Sequence, residues 1–193
     1  MLTQRIARLA LLLLCVGLLS HSGVTPRVAA QGGGFTIYLP LITRTGCAPN
    51  AQETDIANRM KTHPQQQRPT LNCDHILEKV ARERAQDMGV RAYFNHVNPD
   101  GLGPNYLVEQ AGYILPNWYS QALNANNIES IAAGYGTAET AWTGWMNSSG
   151  HATHLLGLNS FWAEQIDYGI GYVYVPGSPY GHYWVVITAK RGP

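Results

Sequence analysis

Two apolar segments near the C-terminal end constrain the fold more than any other feature of this sequence. Residues 168–175 (YGIGYVYV) and 182–189 (HYWVVITA) are rich in tyrosine, valine, isoleucine and tryptophan, and PGSPYG separates them. Aromatic and β-branched residues favour strands, and a short stretch with glycine and proline between two such segments is typical of a hairpin. The sequence therefore predicts an antiparallel β-hairpin at the end of the chain.

Helical patterns precede this hairpin. Residues 53–62 place Ile56, Ala57 and Met60 on one face. The pattern stops before Pro64, because the residue preceding a proline avoids the helical conformation. Helices first and paired strands last predict an α+β domain, layered as an α-β-α sandwich.

The helix predicted after Asp74 has the clearest pattern. Asp74 is a suitable N-cap, and Gly89 is expected to end the helix. Its apolar residues recur at helical spacing and are Ile76, Leu77, Val80, Ala81, Ala85 and Met88. The charged residues Arg82, Glu83, Arg84 and Asp87 are assigned to its polar positions.

Three further segments lie between this helix and the hairpin. Residues 106–111 are predicted to form a short helix, and residues 113–125 a long surface loop with aromatic residues, a kind of loop that is often functional. A helix capped by Thr137 is predicted to run to Gly150 with its tryptophans in the core, so that His151 emerges from the following turn.

The first thirty residues have the features of a secretory signal peptide. They carry three arginines and no acidic residue, an apolar run at residues 9–19, and the small-residue site VAA at 28–30. The pattern predicts cleavage before Gln31 and an extracellular protein, with an uncleaved anchor as the alternative. The glycine-rich start and the FTIYLPLIT segment make residues 31–50 a linker or N-terminal arm, and residues 51–193 the folded domain.

The charge of the mature chain does not favour two classes of partner. Without the three arginines of the signal peptide, 10 basic residues remain against 12 acidic ones. A formal charge of −2 does not favour nucleic acid or an anionic membrane surface, and the mature chain is expected to have no membrane span. Cys47 and Cys73 remain, and in an exported protein such a pair is expected to form a disulfide.

Two histidines and one carboxylate form the candidate site. Glu129 lies in an apolar stretch, His151 follows a Ser-Ser-Gly turn, and His96 lies on a loop between an aromatic pair and an NPDG turn. Imidazoles and a carboxylate are typical ligands of zinc, and an open coordination position would hold an activated water. The hypothesis is that His96, Glu129 and His151 bind zinc or another divalent cation. The alternative for His96 is a structural hydrogen bond, which is the more frequent role of a lone histidine on such a loop. For His154 a surface or core position is favoured over a place in the site.

Several short motifs together resemble one known family. YFNH at 93–96 is similar to the motif YFSH, IESIAAG at 128–134 to GENIAAG, and WMNSSGH at 145–151 to WMNSPGH. Residues 71–88 resemble the first long helix of the same family, and GIGY at 169–172 and YWVV at 183–186 its final strands. In this order, across roughly residues 53–189, they resemble the CAP superfamily (cysteine-rich secretory proteins, antigen 5 and pathogenesis-related class 1 proteins; the SCP domain), especially its secreted bacterial members.

The resemblance implies a three-layer α-β-α sandwich with a central cleft that carries two histidines and two acidic residues. His96, Glu129 and His151 match three of these positions, whereas the second acidic position falls near Ser148. The tetrad is therefore incomplete here. The sequence also departs from the pattern at Ile128, Ser130 and His154, and in the insert at residues 113–125.

Three functions are compatible with these residues. The favoured one is a secreted, non-catalytic domain that binds a divalent metal and an extracellular ligand, which is a small apolar molecule or lipid, a glycan or a protein. The second is a metal-dependent extracellular hydrolase, such as a peptidase, with His96, Glu129 and His151 as candidate catalytic residues. The third is a stable scaffold. The sequence has neither a His-Glu-x-x-His motif nor a Gly-x-Ser-x-Gly motif, which weakens the second function.

Overall fold

The computed structural model describes residues 46–193 and, as backbone only, two short strands before them. These strands are β1 (Arg27–Gly32) and β2 (Phe35–Pro40), which pair antiparallel. The apolar part of the predicted arm is thus a strand in a two-stranded sheet, and Pro40 is its last residue. The predicted cleavage point before Gln31 falls inside β1, and most of the predicted signal peptide, residues 1–26, lies outside the described residues.

The chain divides into two compact units, Met1–Thr43 and Arg44–Pro193, and the second contains the candidate site. Its helices are α1 (Ala51–Thr62), α2 (His75–Val90), α3 (Pro104–Gln110), α4 (Ala138–Met146), α5 (Ser149–Leu156) and α6 (Ser160–Ala163). Its strands are β3 (Asn72–Cys73), β4 (Glu129–Ala133), β5 (Asp167–Tyr174) and β6 (His182–Ala189). No helix among the described residues is both long and apolar enough to cross a membrane.

The four strands form one sheet in the order β3-β5-β6-β4. The predicted hairpin is confirmed, since β5 and β6 pair antiparallel from Asp167↔Ala189 to Tyr174↔His182. Strand β4 pairs antiparallel with β6 and forms one edge of the sheet. A sheet edge is the one place where a strand leaves backbone groups unpaired, and the candidate site lies there.

Both faces of the sheet are buried, which is why β6 reads as a continuous apolar run. Along β6, Tyr183, Val185 and Ile187 pack against α2, α3 and the segment after α3. Trp184 and Val186 point the opposite way and pack against α1, α4 and α5. This arrangement is the predicted three-layer α-β-α sandwich, so the expected fold class is confirmed.

Helix α2 lies against β5 because two glycines leave room for it. A Cβ atom at Gly169 would lie 2.1 Å from the backbone nitrogen of Glu78. A Cβ atom at Gly171 would lie 2.3 Å from the carbonyl carbon of Ala81. The two glycines alternate along the strand and therefore both face α2. This close contact fixes the height of α2 above the sheet, and with it the position of the α2 side chains that reach β4.

The helix starts follow the predicted chemistry. The Asp74 side chain accepts hydrogen bonds from the backbone of Ile76 and Leu77, and Thr137 caps α4. A disulfide joins Cys47 to Cys73, with Cα atoms 6.1 Å apart, as predicted. The Glu78 carboxylate also accepts a hydrogen bond from the backbone of Ala48 at 3.0 Å. The beginning of the domain is thus held to the start of α2.

Three local predictions are wrong. Helix α4 ends at Met146, and Gly150 and His151 belong to a separate helix, α5, so His151 does not emerge from a turn. The segment 113–125 is not simply a surface loop, because Tyr113, Leu115 and Tyr119 are buried in the core. Third, Arg84 was assigned to a polar position of α2, but it is buried and forms part of the candidate site.

Candidate functional site

Glu129 lies on β4 and is buried, with its side chain directed toward α2. Arg84, on α2, donates hydrogen bonds to both carboxylate oxygens, from Nε to Oε2 at 3.0 Å and from Nη2 to Oε1 at 3.3 Å. Arg84 is itself only 2% exposed. The two side chains therefore form a buried, two-pronged ion pair, a geometry that suits the planar guanidinium group.

Arg84 also holds the loop that carries His96. Its Nη2 atom donates to the backbone carbonyls of Asn95 and His96, each at 2.9 Å. Its Nη1 atom donates to the Tyr93 hydroxyl at 2.6 Å, and this hydroxyl donates to Asp87. Arg84 thus ties α2, β4 and the His96 loop together.

Arg84 was expected on the polar face of α2, although its spacing from Leu77 and Val80 indicates the buried face. Arg84 lies seven residues after Leu77 and four after Val80, which puts it inside the apolar stripe of α2 rather than on the polar face. A charged residue in such a stripe indicates a buried ion pair.

His96 is oriented by the buried carboxylate. Its Nδ1 atom lies 2.9 Å from Glu129 Oε1. A carboxylate can only accept, so Nδ1 carries the proton, and in the neutral ring Nε2 keeps its lone pair. The His96 side chain is 37% exposed, whereas that of Glu129 is fully covered. The structure therefore places a fixed imidazole at the surface above a buried acid.

The Glu129 carboxylate stays ionised. Burial alone raises its pKa, but the hydrogen bond from His96 and the charge and hydrogen bonds of Arg84 outweigh burial, and its pKa lies below the ordinary value. Burial by itself lowers the pKa of Arg84, but the charge and hydrogen bonds of Glu129, together with Tyr93 and Asp87, more than reverse this effect. Each partner thus keeps the other charged.

His151 approaches the same place from the other helix layer, because it lies in the first turn of α5. Burial lowers the pKa of His151, and the nearby charge of His96 lowers it further. His151 forms no hydrogen bond to another described residue through its side chain. His96, held by Glu129, and His151, beside residues 131–133, therefore both lie at the β4 edge.

A cavity of about 240 Å³ lies beside His151. His151 and Phe94 line it together with the edge of β4 and part of the α4 packing face. The lining residues are Phe94, Ile131, Ala132, Ala133, Tyr135, Gly144, Trp145 and His151. Phe94 is 41% exposed and packs against the exposed Tyr180, with ring centroids 5.6 Å apart. The cleft thus has an aromatic rim, and His151 is part of its lining.

The three predicted ligands do not form a tight cluster. Within residues 46–193, the one group that brings three potential ligand atoms within 4.8 Å of one another is Cys47, Cys73 and Glu78. Its cysteines are joined in the disulfide and are therefore not free to bind a metal. Both oxygens of Glu129 are engaged by Arg84 and His96, which leaves His96 Nε2 and the His151 ring as the donors without a partner among the described residues.

His154, one turn after His151, lies in the core. Its Nε2 atom is 2.7 Å from Thr188 Oγ1, and the Thr188 hydroxyl donates to Gln165 at 2.7 Å. Thr188 must therefore accept from His154, so Nε2 carries the proton and Nδ1 accepts from Ser130, 2.6 Å away. Both nitrogens are used, and of the surface and core positions expected for His154 the structure shows the core one.

Arg68 holds the C-terminal end of α5 in place. This residue is 4% exposed and donates to the carbonyls of His154 and Leu155 at 2.6 and 2.9 Å, and to that of Trp162 at 2.9 Å. Burial lowers the pKa of Arg68 to about 10. A cation at a helix C-terminus is stabilised by unpaired carbonyls and by the helix dipole. No role for Arg68 was predicted from the sequence.

Comparisons with known proteins agree with this fold. The sequence model of the cysteine-rich secretory protein family, CAP, matches residues 55–188. The chain is 34% identical over 103 residues to the uncharacterised protein YkwD of Bacillus subtilis (strain 168), which is 53% of this chain and 35% of YkwD. The chain thus spans about a third of the length of that relative.

Two solved structures have a similar fold. An outer surface protein from Borrelia burgdorferi has a TM-score of 0.53 and 20% identity, covering 72% of this chain and 95% of its own. An extracellular protein containing an SCP domain from Bacillus anthracis strain Ames has a TM-score of 0.55 and 21% identity, covering 81% of this chain and 47% of its own. Together with the family match over most of the folded unit, the observations show that this chain belongs to the CAP (cysteine-rich secretory protein) family.

Proposed function

We propose that this CAP domain works outside the cell as a non-catalytic binding domain, whose cleft takes a divalent cation on His96 and His151. The observation that carries the proposal is the arrangement of His96. Its Nδ1 is tied to a buried carboxylate, so that Nε2 keeps a lone pair available for a cation. A carboxylate behind an imidazole is the usual way to fix the tautomer and the orientation of a metal ligand.

The donor chemistry fits a cation such as zinc. Two neutral imidazoles are borderline-soft ligands, and water or a bound molecule would complete the coordination. The lowered pKa of His151 favours the neutral ring, which is the form that binds a metal. Glu129 supports this site through His96 rather than as a direct ligand, because direct coordination would break its bonds to Arg84.

Binding is favoured over hydrolysis for a related reason. A metal-bound water is activated most effectively with a carboxylate base beside it, and Glu129 has both oxygens engaged. The second acidic residue expected in the cleft falls near Ser148, which cannot act as a carboxylate base. In this cleft a cation would polarise or hold a ligand, while the chain supplies two imidazoles and the aromatic rim.

An extracellular location is supported by three observations. The first thirty residues have the pattern of a signal peptide. The Cys47–Cys73 disulfide suits an oxidising compartment. The two solved relatives are described as an outer surface protein and an extracellular protein.

Zinc titration by isothermal calorimetry tests the proposal. The purified domain is expected to bind one zinc ion, and His96→Ala combined with His151→Ala is expected to weaken binding at least tenfold. The matched control is His63→Ala combined with His75→Ala, which removes two histidines outside the cleft and is expected to bind as the wild type does. Equal binding by the wild type and the cleft variant would refute the site.

A further inference from the structure

The outer edge of β4 carries backbone groups that the protein itself does not pair. In an antiparallel ladder, alternate residues exchange hydrogen bonds with the partner strand, and the residues between them point their N–H and C=O groups away. Ile128 and Gly134 bond to β6, through Thr188 and His182. Residues 129, 131 and 133 therefore present their backbone groups at the free edge.

Side chains confirm this alternation, because they bond to three of the six edge groups. Asn126 accepts from the Glu129 amide at 2.9 Å and donates to the Glu129 carbonyl at 3.2 Å. Trp145 Nε1 donates to the Ile131 carbonyl at 3.0 Å. These bonds leave the Ile131 amide, the Ala133 amide and the Ala133 carbonyl without a hydrogen-bond partner among the described residues.

The unpaired groups lie where a ligand has room. Ile131, Ala132 and Ala133 line the cavity of about 240 Å³ that also contains Phe94 and His151. Two amides two residues apart on a strand are separated by about 7 Å, with a carbonyl beside the second one. This donor and acceptor pattern matches the backbone of an extended peptide. A hydrocarbon chain offers neither donors nor acceptors, so it would leave these groups unpaired at a cost.

We propose that β4 accepts an extended peptide as an additional strand, which bonds to Ile131 and Ala133 and passes His151 and Phe94. Main-chain hydrogen bonds to a free sheet edge supply affinity in this mode, and pockets for alternate side chains supply selectivity. Phe94 and Tyr135 flank the cavity and provide apolar contact for those side chains. The inference deepens the proposed binding function by naming the ligand class, and it shares the same cleft.

The test uses the wild-type domain without metal and a blocked heptapeptide of alternating threonine and valine with a lysine at each end. Binding is followed by amide NMR. In the free protein, the amides of Ile131 and Ala133 are expected to exchange with solvent faster than that of Ala132, which bonds to β6. Addition of the peptide is expected to shift the Ile131 and Ala133 signals and to slow their exchange.

Two N-methylated versions of the peptide isolate the backbone contribution. In one version the amides on one side of the extended peptide are methylated, and in the other version those on the opposite side. Strand addition uses only one side, so one version is expected to bind as the parent peptide does and the other at least tenfold more weakly. Equal binding by both versions, or no binding of the parent peptide, overturns the proposal.

The variant Ala133→Pro provides a second measurement on the protein. Proline removes the outward amide of residue 133 without touching a bond to β6, and prolines are tolerated at such edge positions. Peptide binding is expected to weaken at least tenfold, whereas the control Ala133→Ser keeps the amide and is expected to bind within twofold of the wild type. Wild-type affinity in the proline variant overturns the proposal, and if this variant fails to fold the N-methylated peptides decide. Since no metal is present, loss of zinc binding and loss of peptide binding are separate results.

Discussion

His151 and His154 lie one turn apart on α5, yet their surroundings are opposite. His154 is 3% exposed and uses both ring nitrogens in a closed chain of hydrogen bonds with Ser130 and Thr188. His151 is half-buried at the cleft, and its side chain has no hydrogen-bond partner among the described residues. The hydrogen bonds of His154 hold α5 to the sheet, whereas the His151 ring remains available to a ligand.

The two regions also contain different buried cations. Arg84 in the cleft faces the Glu129 carboxylate, whereas Arg68 behind α5 faces backbone carbonyls. Charge is therefore balanced by charge beneath the cleft and by dipoles in the core. The comparison indicates that the cleft depends on a charge pair, and the core network on complete hydrogen bonding.

The largest effect is expected when one member of the charge pair is removed. Arg84→Met leaves a buried carboxylate without a partner, which costs about 3–5 kcal/mol of unfolding free energy. Arg68→Met leaves only neutral carbonyls unpaired and is expected to cost less, about 1–3 kcal/mol. Urea denaturation of the two variants measures both values.

Lys79→Met, on the exposed face of α2, serves as the control and is expected to stay within about 0.5 kcal/mol of the wild type. If Arg68→Met proves more destabilising than Arg84→Met, the distinction between balance by charge and balance by dipoles is wrong.

A crossed pair of substitutions separates the two histidines. His154→Ala removes partners of two buried hydroxyls and opens a cavity, so a loss of about 2–4 kcal/mol is expected with zinc affinity retained. His151→Ala is expected to cost under about 1 kcal/mol and to weaken zinc binding at least tenfold. Denaturation and calorimetry on both proteins provide the four measurements. If both variants lose mainly stability, or both lose mainly zinc affinity, the proposed difference between the two histidines is wrong.

The smallest effect is a pH dependence. Burial holds the pKa of His154 well below its ordinary value, and the charge of Arg68 lowers it further. As pH falls below about 6.5, the unfolded chain binds a proton at this residue before the folded chain does. Stability therefore decreases with falling pH, at up to about 1.4 kcal/mol per unit, until the lower folded pKa is reached.

Unfolding free energies measured between about pH 7.5 and about pH 5.5, on either side of the ordinary histidine pKa, test this slope. His154→Ala is expected to be less stable than the wild type at the upper end of this range, with a smaller loss on acidification. Parallel curves for the two proteins would show that His154 is not the group responsible.

Part of the candidate site could be predicted from the sequence. The motifs around His96, Glu129 and His151 placed all three near one cleft, and the structure brings the two histidines to the same sheet edge. Their proposed use in metal binding stays a prediction. The spacing of the apolar residues alone does not reveal the buried position of Arg84, although Arg84 lies in the apolar stripe of α2.

Local patterns predicted element types better than their ends and their burial. The hairpin strands, the Asp74 and Thr137 caps and the disulfide are confirmed because each depends on residues close in sequence or on a single pair. The junction of α4 and α5 and the burial of residues 113–125 were predicted wrongly. Both depend on packing against parts of the chain that are distant in sequence, as with Tyr119, whose ring packs against Phe161.

The sequence by itself determined the α+β class, the family and which side chains have metal-binding chemistry. Periodicity, caps and short motifs are local properties, and they can be identified before any long-range contact is known. Only the tertiary structure decided that Arg84 forms an ion pair with Glu129. It also decided that His151 lines the cleft while His154 lies in the core. Finally, it left three backbone groups at the edge of β4 without a partner among the described residues. Those outcomes depend on which elements meet across the sheet, and periodicity within one element does not contain that information.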